Sequence, residues 1–309
     1  SIHVVDLGMD GGEPAGCDEM VAAGDVARLI PPRRWDANKG DFGHVCVVGG
    51  AQGFCGAVAL AVMGALRGGV GLISALVPHE VVLATAAHAP EAMVWPVDRW
   101  GAVVEAGFNF RGKTLVVGPG MTRTSDVHAA VRWLLTASGV SGAVLDADAL
   151  NVFEGSAGSL RGVKIPVVIT PHPGEAARLL GVSAGDVQAD RAVAARRLAE
   201  TTGAVVVLKG AGTLVVAQDK PIHMVPSANP GMASGGMGDV LAGLTGALLA
   251  RGLGAFDAAR SAAWIHSCAG DIAAWRLGRD AMLATDVAAA IGEVMRALAD
   301  RAGLLGITP

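Results

Sequence analysis

The stretch Asn229-Pro230-Gly231-Met232-Ala233-Ser234-Gly235-Gly236-Met237-Gly238-Asp239 gathers four glycines directly ahead of the apolar run VLAGLTGALLA. A glycine-rich loop that feeds a helix offers unpaired backbone N–H groups at the positive end of the helix dipole. Gly235, Gly236, Met237 and Gly238 therefore read as an anion hole suited to phosphate. Asp239 falls in or beside the first helical turn, where an aspartate can serve as a plain N-cap. Next to a phosphate nest, however, a carboxylate repels the ligand unless it acts as a base or binds a metal. A catalytic role is the favoured reading for Asp239.

Four more loops share the strand-then-glycine pattern. Lys209-Gly210-Ala211-Gly212-Thr213 follows AVVVL. Its N–H groups and the Thr213 hydroxyl could hold a nucleotide, or the segment is a simple hairpin turn. Thr170-Pro171-His172-Pro173-Gly174-Glu175 follows VVIT. Two prolines stiffen the loop around His172, which favours ligand contact, and Glu175 suits the first turn of the next helix. Gly118-Pro119-Gly120 follows TLVV, and Gly120 permits close backbone approach. Asp146 and Asp148, in the Asp146–Asn151 segment after AVL, could hold a metal directly or through water. Equally, Asp148 could cap the following helix. Gly49–Ala57 lacks both the GK[ST] of a P-loop and properly spaced GxGxxG, which argues against P-loop NTPases and typical dinucleotide-binding dehydrogenases. His266, Cys268 and Asp271 lie on one helical stretch, but Cys268 is off the face of His266, so these read as core and surface residues.

These loops need elements to position them. Short β-branched runs begin at Val45, Leu72, Thr114, Ala143, Val167, Ala204 and Thr213. Most are continuously apolar, as parallel strands covered on both faces should be. Helical composition marks Ala57–Leu66, Asp126–Ala137, Ala189–Thr201, Asp239–Ala250, Ala255–Arg276 and Asp286–Arg301. The alternation predicts a three-layer α/β fold, with a mostly parallel central sheet flanked by helices and a helical C-terminal flank. In such a sheet, ligands bind beyond the carboxyl ends of the strands, where the loops above lie. His3–Leu7 reads as an isolated strand and residues 8–25, rich in glycine and acids, as a linker or surface loop.

Composition bounds the function. The 309 residues are 52% hydrophobic and 17% charged, which excludes intrinsic disorder. A net charge of -4 provides no general field for nucleic acid or an anionic membrane, so neither is expected as a partner. So few charges leave little polar surface, and assembly beyond the monomer is expected. Cys17, Cys46, Cys55 and Cys268 form no CxxC pair or Cys/His ligand spacing, which fits a reducing cytoplasm. No apolar run is long enough to span a bilayer, and no signal peptide is expected at the start. The first residue is Ser1 rather than Met, so processing or excision from a longer chain is expected.

Taken together, the motifs resemble the ADP/ATP-dependent NAD(P)H-hydrate dehydratases of the ribokinase-like superfamily. The resemblance rests on KGDFGHVCVVGG (Lys39–Gly50), GFCGA (Gly53–Ala57), GPG (Gly118–Gly120), DADALN (Asp146–Asn151), TPHPGEAARLLG (Thr170–Gly181), LKGAGT (Leu208–Thr213) and NPGMASGGMGDVLAG (Asn229–Gly243). It implies a ribokinase-like domain over residues 26–309 that dehydrates the S-form of NADHX or NADPHX, converting ADP to AMP and phosphate. Asp239 would be the base, and Gly238 and its neighbours would hold the transferring phosphoryl group. Lys209, Gly210, Ala211, Gly212 and Thr213 would bind the AMP part. Ala57, Gly120, His172 and Asp239 would meet the hydrate, and Mg2+ would bridge the nucleotide phosphates. A homotetramer is also implied. In this family the GPG loop often continues as GPGLG, whereas here Gly120 is followed by Met121-Thr122. The 19 Arg against 5 Lys suggest a GC-rich bacterial genome, and bacterial members use ADP. HVVDLGM (His3–Met9) is similar to the last strand of the epimerase domain that precedes the dehydratase in fused members, so residues 1–25 would be its remnant.

Two alternatives stand beside this. One is a ribokinase-like small-molecule kinase of the hydroxymethylpyrimidine or hydroxyethylthiazole type, against which the TPHPGE loop argues. The other is an inactive nucleotide-binding module, against which the intact Gly238-Asp239 pair argues.

Overall fold

The computed structural model describes residues 19–304 apart from Ala106 and Ser227, so the expected His3–Leu7 strand and Cys17 lie outside the described residues. The strands are β1 (Glu19–Met20), β2 (His44–Val48), β3 (Leu72–Pro78), β4 (Met93–Val97), β5 (Thr114–Val117), β6 (Gly142–Leu145), β7 (Val167–Ile169), β8 (Val205–Leu208), β9 (Thr213–Val216) and β10 (His223–Val225). The helices are α1 (Ala23–Leu29), α2 (Cys55–Arg67), α3 (Val82–His88), α4 (Ser125–Leu134), α5 (Asp148–Asn151), α6 (Pro173–Leu180), α7 (Ala184–Ala189), α8 (Arg191–Thr202), α9 (Met237–Ala250), α10 (Ala255–Leu277) and α11 (Ala284–Leu304).

All ten strands join one sheet in the order β1-β10-β9-β8-β7-β6-β5-β2-β3-β4. Strands β2 to β8 run parallel, and β9 runs antiparallel to both β8 and β10. Alternate residues of each run feed opposite cores. Val45 and Val47 of β2 pack with α2, α9, α10 and α11, while Cys46 and Val48 pack with α4, α6 and α8. Both faces are buried, and this is why the strands read as unbroken apolar runs.

The chain order reverses between β2 and β5, the kind of switch point where an open α/β sheet leaves a crevice. The two loops that leave these strands are stitched together, Gly50 N donating to Pro119 O at 2.8 Å. A Cβ at Gly49 would lie 2.3 Å from that same oxygen, so only glycine fits there. Helix α9 lies buried along the sheet rather than on its flank, backed by α2. A Cβ on Gly243 would come 1.8 Å from Ala61 O, and one on Gly64 2.2 Å from Val240 O. Two glycines thus let the helix backbones touch and fix where α9 begins.

Three sequence expectations change. Residues 19–25, expected within a linker, join the sheet and core: Glu19 and Met20 pair with His223 and Met224, and Val21 is buried. The expected helix from Ala189 to Thr201 is α8, which begins at Arg191 because Asp190 caps it by accepting from Val193 N at 2.9 Å, and the short α7 that ends at Ala189 was not expected. Strand β4 escaped notice because it is a half-exposed edge strand interrupted by Pro96.

Candidate active site

Helix α9 starts at Gly236, whose φ of 89° suits glycine, and no side chain caps it. The first-turn N–H groups are therefore free for a ligand. Asp239 is the third helical residue, not the N-cap, and its carboxyl accepts no hydrogen bond from the described residues. Burial, reinforced by the charge of Asp146 and opposed by Lys209, pushes it up to about 7. A carboxyl poised there can take a proton near neutrality, which a simple cap never needs to do.

Behind the loop, three acids share one cation. Lys209 Nζ lies 2.7 Å from Asp146 Oδ1 and 3.9 Å from Glu175 Oε2. Asp146 is 2% exposed, and its Oδ1 also accepts from Thr170 Oγ1 at 2.7 Å. Burial lowers the Lys209 ammonium, but the charges of Asp146 and Glu175 outweigh it and hold the group above its ordinary value. Burial also raises Glu175, to about 7, against the pull of Lys209.

Residues 209–212 are the turn of the β8–β9 hairpin, so the plain structural reading of KGAGT holds geometrically while the turn also faces a cavity. Thr213 Oγ1 donates to Gly210 O at 3.0 Å. Arg191 braces the turn from α8, donating to Leu208 O at 3.1 Å and Gly212 O at 3.3 Å. His172 is the N-cap of α6. Its Nδ1 accepts from Gly174 N at 3.0 Å, while Glu175 Oε2 accepts from His172 N at 2.8 Å. Nδ1 as an acceptor leaves the ring proton on Nε2. Burial, then Lys209 and Arg178, lower the ring below its ordinary value and keep it neutral.

A cavity of about 670 Å3 joins these pieces. His172, Lys209, Gly210, Ala211 and Thr213 form one side, and Gly235, Met237 and Gly238 the other. Helix α10 closes it with Ala263, His266 and Ser267. Ala57 and Gly120 sit apart from this cavity, against each other: a Cβ at Gly120 would be 3.4 Å from Ala57 Cβ and 2.8 Å from Phe54 Cβ. Leu60, one turn beyond Ala57 on α2, reaches the backbone of Gly236. The glycine loop therefore lines the cavity on one side and meets α2, beside Ala57 and Gly120, on the other.

Sequence reasoning missed several participants. His266, read as core, is indeed 7% exposed, yet it forms cavity wall, and its buried Nε2 has no hydrogen-bond partner. Burial pushes its ring down to about 4, so it is uncharged. Asp148 anchors the GPG loop rather than capping, accepting from Thr122 N at 2.8 Å. Thr122 and Ala147 hold φ of 67° and 49°, strain of a kind that gathers at functional sites. Such backbone strain leaves no mark in composition.

Among the described residues no three His, Cys, Asp or Glu side chains converge as a metal site. Mg2+ asks only for hard oxygens in an octahedral set and commonly takes them from phosphates and water. The uncapped start of α9 and the Lys209 ammonium instead offer groups that suit phosphate oxygens.

A family model described as NAD(P)H-hydrate dehydratase matches residues 45–293, most of the chain. The chain belongs to that family. It is 39% identical over 265 residues to a bifunctional NAD(P)H-hydrate repair enzyme of Coxiella burnetii, covering 85% of this chain and 52% of that protein. It is also 39% identical over 248 residues to the ADP-dependent (S)-NAD(P)H-hydrate dehydratase of Neisseria meningitidis, covering 79% and 81%. The chain spans about half the length of the bifunctional relatives it matches. Among solved structures, a Bacillus subtilis ADP/ATP-dependent NAD(P)H-hydrate dehydratase co-crystallised with ATP/Mg2+ superposes with a TM-score of 0.81 at 27% identity, covering 91% and 98%. The ribokinase-like fold implied by the sequence motifs is the fold observed.

Proposed function

We propose that this chain restores NAD(P)H from its S-form hydrate, NADHX or NADPHX, at the expense of a nucleoside diphosphate. The observation that carries this is Asp239: a carboxyl pushed up to about 7, in the first turn of a helix whose start is uncapped and glycine-rich, beside Lys209. In this scheme the hydrate ring occupies the crevice beside Ala57 and Gly120 and reaches His172. Asp239 accepts the proton of the hydrate hydroxyl. The oxygen then attacks the terminal phosphoryl of ADP in line, while the N–H groups of Gly235–Gly238 and the Lys209 ammonium stabilise the charge on the phosphoryl oxygens. AMP departs. The new phosphate ester leaves as inorganic phosphate, the ring loses a proton from the neighbouring carbon, and the double bond reforms. The sum is hydrate plus ADP to NAD(P)H, AMP, phosphate and a proton. Bound Mg2+ would neutralise charge on the nucleotide phosphates.

ADP is the proposed co-substrate because the Neisseria relative is named ADP-dependent and the arginine bias points to a bacterial source. The test is incubation with NADHX and ADP or ATP, following the near-ultraviolet absorbance of reduced nicotinamide. A small-molecule kinase would consume nucleotide without that absorbance. We place the activity in the cytoplasm; no helix among the described residues is long and apolar enough to cross a membrane. We further propose a homotetramer, supported by exposed Trp275, Leu83 and Leu283, and an epimerase remnant in residues 1–18, ahead of the β1 strand that joins this sheet.

A further inference from the structure

Lys209 is pulled by three carboxyl groups, those of Asp146, Glu175 and Asp239. We propose that Asp146 is a positioning residue: it fixes the Lys209 ammonium behind Gly238, where the transferring phosphoryl group sits, and withholds that cation from Asp239. The inference rests on the reaction proposed above and adds the part that keeps its cation and its base separate.

The geometry is specific. A Cβ at Gly238 would lie 3.1 Å from Lys209 Nζ and 3.4 Å from Asp146 Oδ2, so the ion pair stands directly beside Gly238. The lysine is tied at both ends. Its backbone N donates to Pro171 O at 2.9 Å, and its Nζ meets Asp146 Oδ1 at 2.7 Å. Asp146 is itself held by Thr170 Oγ1 at 2.7 Å. Glu175 is the weaker anchor, at 3.9 Å from Nζ and already accepting from His172 N. Asp239 has no competing partner among the described residues, so an unanchored ammonium would move to it.

That move would do two kinds of harm. The phosphoryl group would lose a cation, and the base would be stabilised as its anion and become less basic. The charges acting on Asp239 are those of Asp146, Lys209, Glu175 and Asp148. Asp146 supports the base twice, by repelling a second negative charge and by occupying the lysine. A carboxylate that served only to pair a buried lysine would affect stability and nothing else.

The experiment compares wild type, Asp146→Asn, Lys209→Met and the double variant for ADP affinity by calorimetry, turnover against pH, and melting temperature. Asparagine retains an oxygen for Thr170. Each single variant should lose turnover by ~10²-fold, the scale of removing one preorganised charge-stabilising donor. The double variant should be no worse than Lys209→Met alone, because Asp146 acts through Lys209. In Asp146→Asn, the pH at which turnover reaches half its plateau should move to lower pH, and Asp146→Glu should move it back. Losses that multiply in the double variant, or an unmoved pH midpoint beside a lowered melting temperature, would overturn the proposal. If wild type binds ADP yet forms no reduced nicotinamide, the reaction fails while the affinity pattern still decides the placement of Lys209. Wild type that binds no ADP overturns both.

Discussion

Replacing Asp239 with asparagine should separate two properties that the structure joins in one side chain. Asparagine keeps the size but cannot take the hydroxyl proton, so turnover should fall by ~10²–10⁴-fold, the usual contribution of a positioned base. Stability should move the other way, and pH should control how far. The carboxyl rises from 3.8 to about 7 on folding, chiefly through burial. The folded protein therefore holds this proton more tightly than the unfolded chain. The stability drawn from that proton is complete below the ordinary carboxylate range and is lost as pH climbs through about 7. Roughly three pH units at ~1.4 kcal/mol each set a ceiling of ~4 kcal/mol. Partial exposure and the neighbouring Lys209 reduce this to about 1–2 kcal/mol, or a few degrees of melting temperature for a domain of this size. Asp239→Asn should thus melt higher than wild type at about pH 8, with a smaller gain at about pH 5. The assay is thermal melting at both pH values with steady-state turnover alongside. A variant that keeps more than about a tenth of wild-type turnover would refute the base assignment. A melting gain that does not grow with pH would refute the burial argument.

Gly238→Ala and Gly243→Ala should fail in opposite ways. The first places a methyl 3.1 Å from the Lys209 ammonium, at the end of a side chain that can give slightly, so melting should change little while the KM for ADP rises; the second drives a methyl into Ala61 O and should cost at least ~1–3 kcal/mol in denaturant unfolding with little specific effect on KM. Arg191→Ala removes the brace of the β8–β9 turn and should raise the KM for ADP while leaving that for the hydrate, as nucleotide and hydrate titrations will show. His172→Asn puts a capping oxygen in place of Nδ1 and should melt within about 1 kcal/mol of wild type, yet lose hydrate affinity; unchanged hydrate KM would leave His172 a cap alone.

The fold was legible where physics leaves a periodic trace. Strands β2, β5, β6 and β8 are buried on both faces, so their apolar runs could not be confused with surface segments. Helix α9 was legible from the same signal, but its place inside the molecule depends on Gly64 and Gly243, which read as ordinary small residues until the backbones are seen to touch. Strand β4, which contains Pro96 and is half-exposed, and the short α7 ahead of Asp190 left too weak a pattern to read. The glycine loops advertised the nest, the hairpin turn and the GPG loop. The pairing of Lys209 with Asp146 joins residues 63 positions apart through sheet order, which no local spacing reveals. Arg191 and His266 sit in helices whose composition is unremarkable, and only their reach into the hairpin and the cavity marks them.

The most direct measurement is a side-by-side assay of the purified chain with S-form NADHX, Mg2+ and either ADP or ATP, recording reduced-nicotinamide absorbance together with AMP and phosphate. With ADP, reduced nicotinamide, AMP and phosphate should appear in equal amounts, and ATP should support a slower reaction. Nucleotide consumption without the return of absorbance would contradict the proposed reaction and indicate a kinase whose phosphorylated product is stable. No consumption of either nucleotide would contradict it at its centre.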